Sequence, residues 1–211
     1  MNNSSLLFGV MSGTSLDGID IVLINEDNKN IRIIEFIHMP YSADIRQDFL
    51  TIHSDQNSDL KHSIQLSLSH AKITANGIKK ALKKHKLKSK DIRCIGYHGQ
   101  TIRHYPKEGY SIQLGNANLL AELTNITVVN DFRNRDILAG GQGAPLVPAF
   151  HNEFFSKKNI NRLIINIGGI SNITYLPVNK KISGFDCGPG NILLDHWIKI
   201  HHNKNFDNMG K

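Results

Sequence analysis

The sequence has 211 residues, 40% of them hydrophobic and 20% charged, an ordinary composition for a soluble globular chain that buries a core as one large or two small domains. Apolar runs are short, and the two cysteines, Cys94 and Cys187, lie far apart with no CxxC pair. Those features exclude a transmembrane span, indicate neither a disulfide framework nor a zinc cluster, argue against a signal peptide, and set a reducing cytoplasm as the expected location. The formal net charge of +7 is matched by one cluster of seven lysines between Lys79 and Lys90.

Taken in chain order, residues 6–10 form an apolar run that breaks into Ser12-Gly13-Thr14-Ser15 and resumes at residues 19–24 after Asp17-Gly18. Strand, small-residue turn, strand is the pattern of a hairpin. Its tip brings glycine amides and hydroxyls to one point, where they can hold an anion or simply make a tight turn. Residues 31–37 read as a third strand, and helices are expected over 43–52 and 60–84. The longer helix has apolar positions Ile64, Leu68, Ala71, Ala75, Ile78 and Leu82, spaced alternately four and three. The lysine cluster closes this helix, where cations suit the negative end of the helix dipole. A nucleic-acid role would need interleaved aromatics or a known module, so no nucleic-acid partner and no membrane partner is expected.

Residues 92–96 form a short apolar strand that runs into Tyr97-His98-Gly99-Gln100-Thr101. Strands are also expected at 112–114 and 126–129, with a helix over 116–123 between them; the second strand leads into Asn130-Asp131-Phe132-Arg133. Alternating strands and helices of this length give an α/β domain with helices covering the sheet. Three polar clusters therefore stand where a strand is expected to give way to a loop, the places where ligands collect in open α/β sheets. His98 fits either a structural histidine or, with Gln100, Thr101 and His104 near it, a contact to a hydroxyl-rich ligand such as a sugar.

Gly140-Gly141-Gln142-Gly143-Ala144-Pro145 reads as a turn into a helix over 147–155. The polar Lys157-Lys158-Asn159 stretch is the expected lobe boundary, dividing the chain into 1–156 and 157–211. Residues 162–175 repeat the strand, glycine-rich turn, strand pattern of the opening hairpin and suggest two related halves. Asp186 is then expected on a loop, held open by Gly188, Pro189 and Gly190, before a helix over 191–201. There it can cap the helix or, as an ionised carboxylate, accept a proton from water or a hydroxyl.

Together these segments resemble the anhydro-N-acetylmuramic acid kinase family. The residues that carry the likeness are GVMSGTSLDGID (9–20), GYHGQT with His104 and Pro106 (96–106), VVNDFRNRDILAGGQGAPLVPAFH (128–151), NIGGISN (166–172) and FDCGPGNILLD (185–195). The resemblance implies an actin-, Hsp70- and hexokinase-like (ribonuclease H-like) mixed sheet covered by helices, and an ATP- and Mg²⁺-dependent sugar kinase of peptidoglycan recycling. It implies an ATP-phosphate loop at Gly13, Thr14, Ser15, Leu16, Asp17, Gly18, Ile19 and Asp20, and a catalytic carboxylate at Asp186. It places the amino sugar near His98, Gln100, Thr101 and Asp131. Neither GxxxxGK[ST] nor GxGxxG occurs, so phosphates would be held by hairpin turns. Cys187 stands where the family has threonine. The chain ends within the family pattern, so the second lobe is expected to be incomplete, with apolar surface exposed around residues 164–173 and Trp197. Kinase activity is then expected to be impaired, or the chain to act as a residual sugar- or phosphate-binding domain, as a homodimer, or with a separately encoded C-terminal lobe.

Overall fold

In a computed structural model, residues 5–28, 30–53, 59–204 and 206–210 are described. The chain divides into two compact units, Met1–Gly141 and Gln142–Lys211.

The first unit begins with an antiparallel meander of β1 (Ser5–Ser12), β2 (Gly18–Asp27) and β3 (Asn30–Pro40). After the helices α1 (Ala43–His53) and α2 (Leu60–Lys84), β4 (Ile92–Tyr105) returns parallel to β1. β5 (Tyr110–Leu114) pairs antiparallel with the far half of β4. Beyond α3 (Ala117–Thr124), the short β6 (Val128–Asn130) pairs parallel with the near half. The sheet order β3-β2-β1-β4, with β6 next on β4 and only β2 reversed within that set, is the mixed ribonuclease H-like sheet expected from the sequence.

α2 builds this core because its inner face is small. Ala71, Ala75, Ile78 and Ala81 are buried against Phe8, Ile21 and Leu23 of the sheet. Gly77 lies so close that a Cβ there would stand 2.4 Å from Ile21 Cδ1. The helix is capped by Asp59, whose carboxylate accepts from the Lys61 amide at 2.9 Å. At its other end Glu35 takes Lys84 and His85, which hold its carboxyl below the usual range. The expected apolar stripe begins too early: Ile64 is exposed, and the buried face starts at Leu66 and includes the polar His70 and Thr74. A second cluster packs α1 against the rest, joining Phe49, Ile52, Leu66 and Ile102 around Leu16.

α4 (Phe132–Leu138) closes the first unit and was not expected from the sequence. Its seven residues follow Asp131, which adopts a left-handed φ of 61°.

The second unit opens with α5 (Val147–Phe155), followed by an antiparallel sheet of β7 (Arg162–Ile167), β8 (Ile170–Leu176) and β9 (Ser183–Pro189), and then by α6 (Ile192–His202). The meander repeats the order of β1, β2 and β3, the internal echo expected at 162–175. The compact division falls at Gly141, ahead of the Lys157-Lys158-Asn159 stretch, because α5 packs on this sheet. His151 Nδ1 lies 2.9 Å from Thr174 Oγ1, and Gly184 leaves room for Pro148, whose Cγ a Cβ would meet at 2.6 Å. Apolar side chains stand exposed in this unit, among them Ile165, Ile167, Phe185 and Trp197. No helix among the described residues is long and apolar enough to cross a membrane.

Candidate functional site

The turn between β1 and β2 is shaped by an anchor. Leu16 is buried in the cluster with Phe49 and Ile52, and takes φ of 54°, a left-handed conformation uncommon for a residue with a Cβ. Its amide donates to Gly13 O at 3.4 Å, which closes the turn over Thr14 and Ser15, both exposed. Gly18 has no room for a side chain, since a Cβ would stand 2.5 Å from Met39 O. Ser15 Oγ donates to Asp17 Oδ1 at 2.8 Å, and Asp20 pairs with His38 at 2.7 Å. Within the expected phosphate loop, Leu16, Gly18 and Ile19 are thus buried supports, while Thr14, Ser15, Asp17 and Asp20 reach the surface.

His98, Gly99, Gln100 and Thr101 lie inside β4, not in a loop after it. The expectation failed because this strand changes partners instead of ending. Up to Tyr97 it is flanked by β1 and β6, and from Gln100 onward it pairs with β5. A register shift opposite Val10 and Ser12 absorbs the change, with Gly99 at φ of 72°. A Cβ on Gly99 would stand 2.7 Å from Leu114 O.

Gln100 is fully buried, and its Nε2 donates to Gly13 O at 3.0 Å. Tyr41 donates to the other end of the same amide at 3.4 Å. His98 Nδ1 donates to Gly99 O at 2.6 Å, so its Nε2 is the acceptor for Arg133 Nε–H at 3.0 Å. Burial, and then the Arg133 charge, hold the imidazole pKa below its usual value against the opposing pull of the Gly99 bond. His98 is therefore neutral near pH 7, with both ring nitrogens engaged.

A cavity of about 270 Å³ opens beside this segment. That is close to the lower end of small-molecule sites, about 300 Å³. It takes in His98 and Asp131, but neither Gln100 nor Thr101. Thr101 lies opposite Gln113 across β4 and β5, and Gln113 Nε2 approaches its Oγ1 at 3.4 Å. The wall also contains Asn130, part of the polar cluster noted in the sequence with Asp131, and Ser111, Gln113 and Asn134, which were not singled out there. Asn134 fixes two of these groups: its Oδ1 accepts from Ser111 N–H at 2.7 Å, and its Nδ2 donates to Asp131 Oδ1 at 2.7 Å. Neutral donors and acceptors with one carboxylate suit a ligand rich in hydroxyl and amide groups. The i to i+3 spacing of Asp131 and Asn134 was the signal available in the sequence, once a helix is recognised there.

Asp186 lies within β9, directly opposite Asn172 of β8, and is exposed. It does not cap α6, whose N-cap position is Asn191. The loop expected here is a strand because Gly188 and Pro189 occupy the end of an edge strand, where a missing donor is tolerated. Among the described residues no group of three His, Cys, Asp or Glu side chains could hold a metal ion.

The sequence pattern of the anhydro-N-acetylmuramic acid kinase family matches residues 5–211. The anhydro-N-acetylmuramic acid kinase of Pseudomonas fluorescens (strain Pf0-1) is 46% identical over 207 residues, which are 98% of this chain and 57% of that protein. The protein of the same name from Nitrosomonas europaea is 49% identical over 204 residues, covering 96% of this chain and 56% of its own length. The chain thus spans slightly more than half the length of these relatives. With identity at this level across nearly all of its residues, the chain belongs to the anhydro-N-acetylmuramic acid kinase family.

Proposed function

We propose that the chain carries the sugar- and phosphate-binding part of an ATP-dependent kinase acting on 1,6-anhydro-N-acetylmuramic acid in peptidoglycan recycling. The observation that carries this reading is the Gln100–Gly13 hydrogen bond, which braces the β1–β2 turn from the strand that walls the polar cavity. In the proposal the γ-phosphate lies on the exposed amides and hydroxyls of Thr14 and Ser15, with Leu16, Gly18 and Ile19 fixing the backbone. The sugar occupies the cavity against Asp131, Asn134 and Gln113, while His98 and Gln100 act by holding the frame. Asp186 accepts a proton from water as its oxygen attacks the anomeric carbon. The C1–O6 bond breaks, and O6 takes the γ-phosphoryl group to give N-acetylmuramic acid 6-phosphate and ADP.

Mg²⁺ fits this donor set only as an ion carried by the nucleotide, since it needs phosphate oxygens and water besides a carboxylate such as Asp17 or Asp20. When bound it neutralises charge on the phosphates. The test is ADP release with the anhydro sugar. Turnover that disappears in Asp186→Asn while the sugar still binds supports the assignment; undiminished turnover in that variant rejects it. A second reading, binding that becomes catalytic only with a complementary C-terminal polypeptide, is favoured by the exposure of Ile165 (58%) and Ile167 (71%) on β7. Adding the C-terminal portion of a relative in trans distinguishes the two.

A further inference from the structure

The polar groups on the buried face of α2 are not used by the chemistry above, yet they touch both parts of the first unit to which it assigns roles. His70 is 1% exposed. Its Nε2 lies 2.9 Å from Ser12 Oγ and its Nδ1 2.6 Å from Tyr97 OH. Ser12 Oγ in turn donates to Gly99 O at 3.0 Å.

The direction of every proton in this chain follows from its last member. A carbonyl oxygen only accepts, so the Ser12 hydroxyl proton points to Gly99. Ser12 must then accept from His70, which puts the ring proton on Nε2. In the neutral ring Nδ1 is left as an acceptor, and Tyr97 O–H donates to it. Burial supports the neutral form, pushing the His70 pKa down to about 3. The second lone pair of Gly99 O receives His98 Nδ1–H, and His98 receives Arg133. One carbonyl therefore joins two runs of hydrogen bonds, one from Tyr97 through His70 and Ser12, the other from Arg133 through His98.

We infer that His70 is a positioning residue that sets the β1–β2 turn, through Ser12, against the cavity wall at Tyr97 and Gly99. It does so from α2, a helix of 25 residues, and is not itself part of the cavity lining or of the turn. The inference deepens the proposed function and rests on it for the roles of turn and cavity, but its geometry can be tested separately.

The experiment is NMR on the whole chain as wild type, His70→Leu and His70→Gln. The leucine fills the space without polar atoms, whereas glutamine keeps an Nε2 donor directed at Ser12. In the wild type the His70 nitrogen shifts should report a neutral ring protonated on Nε2. The leucine variant should show amide exchange about tenfold faster at Leu16 and Gly99, the scale of one lost buried hydrogen bond. Affinity for inorganic tripolyphosphate, read from the Thr14 and Ser15 amides, should fall by a similar factor, and glutamine should restore most of both. Should the leucine variant not fold, Ser12→Ala breaks the same chain without altering α2 and is expected to give the same local pattern. Unchanged exchange at Leu16 and Gly99 in a folded variant, a ring protonated on Nδ1, or a glutamine variant no better than leucine would overturn the inference. Failure of tripolyphosphate to bind even the wild type would instead count against the phosphate turn, while exchange and ring tautomer still decide the role of His70.

Discussion

Replacing Gly99 by alanine tests the idea that β4 changes partners through a kink only glycine can make. At φ of 72° an L-residue sits in the left-handed region, at a cost of about 1–2 kcal/mol. The added methyl would stand 2.7 Å from Leu114 O, a backbone atom of β5 held in the ladder with β4, so relief requires moving one strand against another. Overpacking of this kind adds about 1–3 kcal/mol. Gly99→Ala should therefore destabilise the first unit by about 2–5 kcal/mol, a large share of a typical domain's stability of about 5–15 kcal/mol. Urea unfolding followed by far-UV circular dichroism measures it, the midpoint falling while the slope is retained. Gly109→Ala is the control: it too has positive φ, 85°, but a Cβ there meets nothing within 4 Å, so only the smaller backbone cost applies. Equal losses in the two variants would refute the steric part of the reasoning. A Gly99→Ala loss below about 1 kcal/mol would refute both parts.

Further outcomes follow from caps, burial and packing. Asp59→Ala should cost about 1 kcal/mol by releasing the Lys61 amide, read as a lower urea midpoint, with Asp59→Ser recovering most of it. His70 binds a proton far less readily folded than unfolded, so its contribution is fully present above pH 6.5 and is lost as pH falls towards about 3. Stability should decline over that window, and His70→Gln should make the decline shallower; equal slopes would contradict it. Gly184→Ala should destabilise the second unit by about 1–3 kcal/mol through its clash with Pro148, seen as faster amide exchange at Thr174.

Much of the first unit could be read from residue order. α2 announces itself through its spacing, and the β1–β2 hairpin through two apolar runs around small residues. What could not be read has a common cause, a residue whose usual meaning is reversed by its surroundings. Gly99 was expected in a loop beyond a strand ending at residue 96, yet here it permits a bulge within the strand. Gly188 and Pro189 looked like a loop, but they lie at the end of an edge strand. α4 has only seven residues, too few for a periodic pattern to stand out. His70 and Thr74 were hidden by the alanines beside them, which made that face of α2 look wholly apolar.

The polar residues of the His98–Thr101 segment carry a related lesson about reading sites from sequence. A histidine and a glutamine in a row invite the reading that both meet a ligand, because their groups can donate and accept. Those capacities are already spent: Gln100 on Gly13 and Tyr41, His98 on Gly99 and Arg133. A buried polar group without partners costs more than a formed bond returns, so a fully buried glutamine must be satisfied by the protein before any ligand arrives. The polar groups within a ligand's reach are the exposed Asp131, Thr14 and Ser15 and the half-buried Asn134 on the cavity wall. Substitution should therefore separate the two sets. Gln100→Leu should lower stability and loosen the turn, whereas Asn134→Ala should weaken sugar binding with a smaller effect on the urea midpoint. A Gln100→Leu chain as stable as wild type would show that the buried amide is not part of the frame.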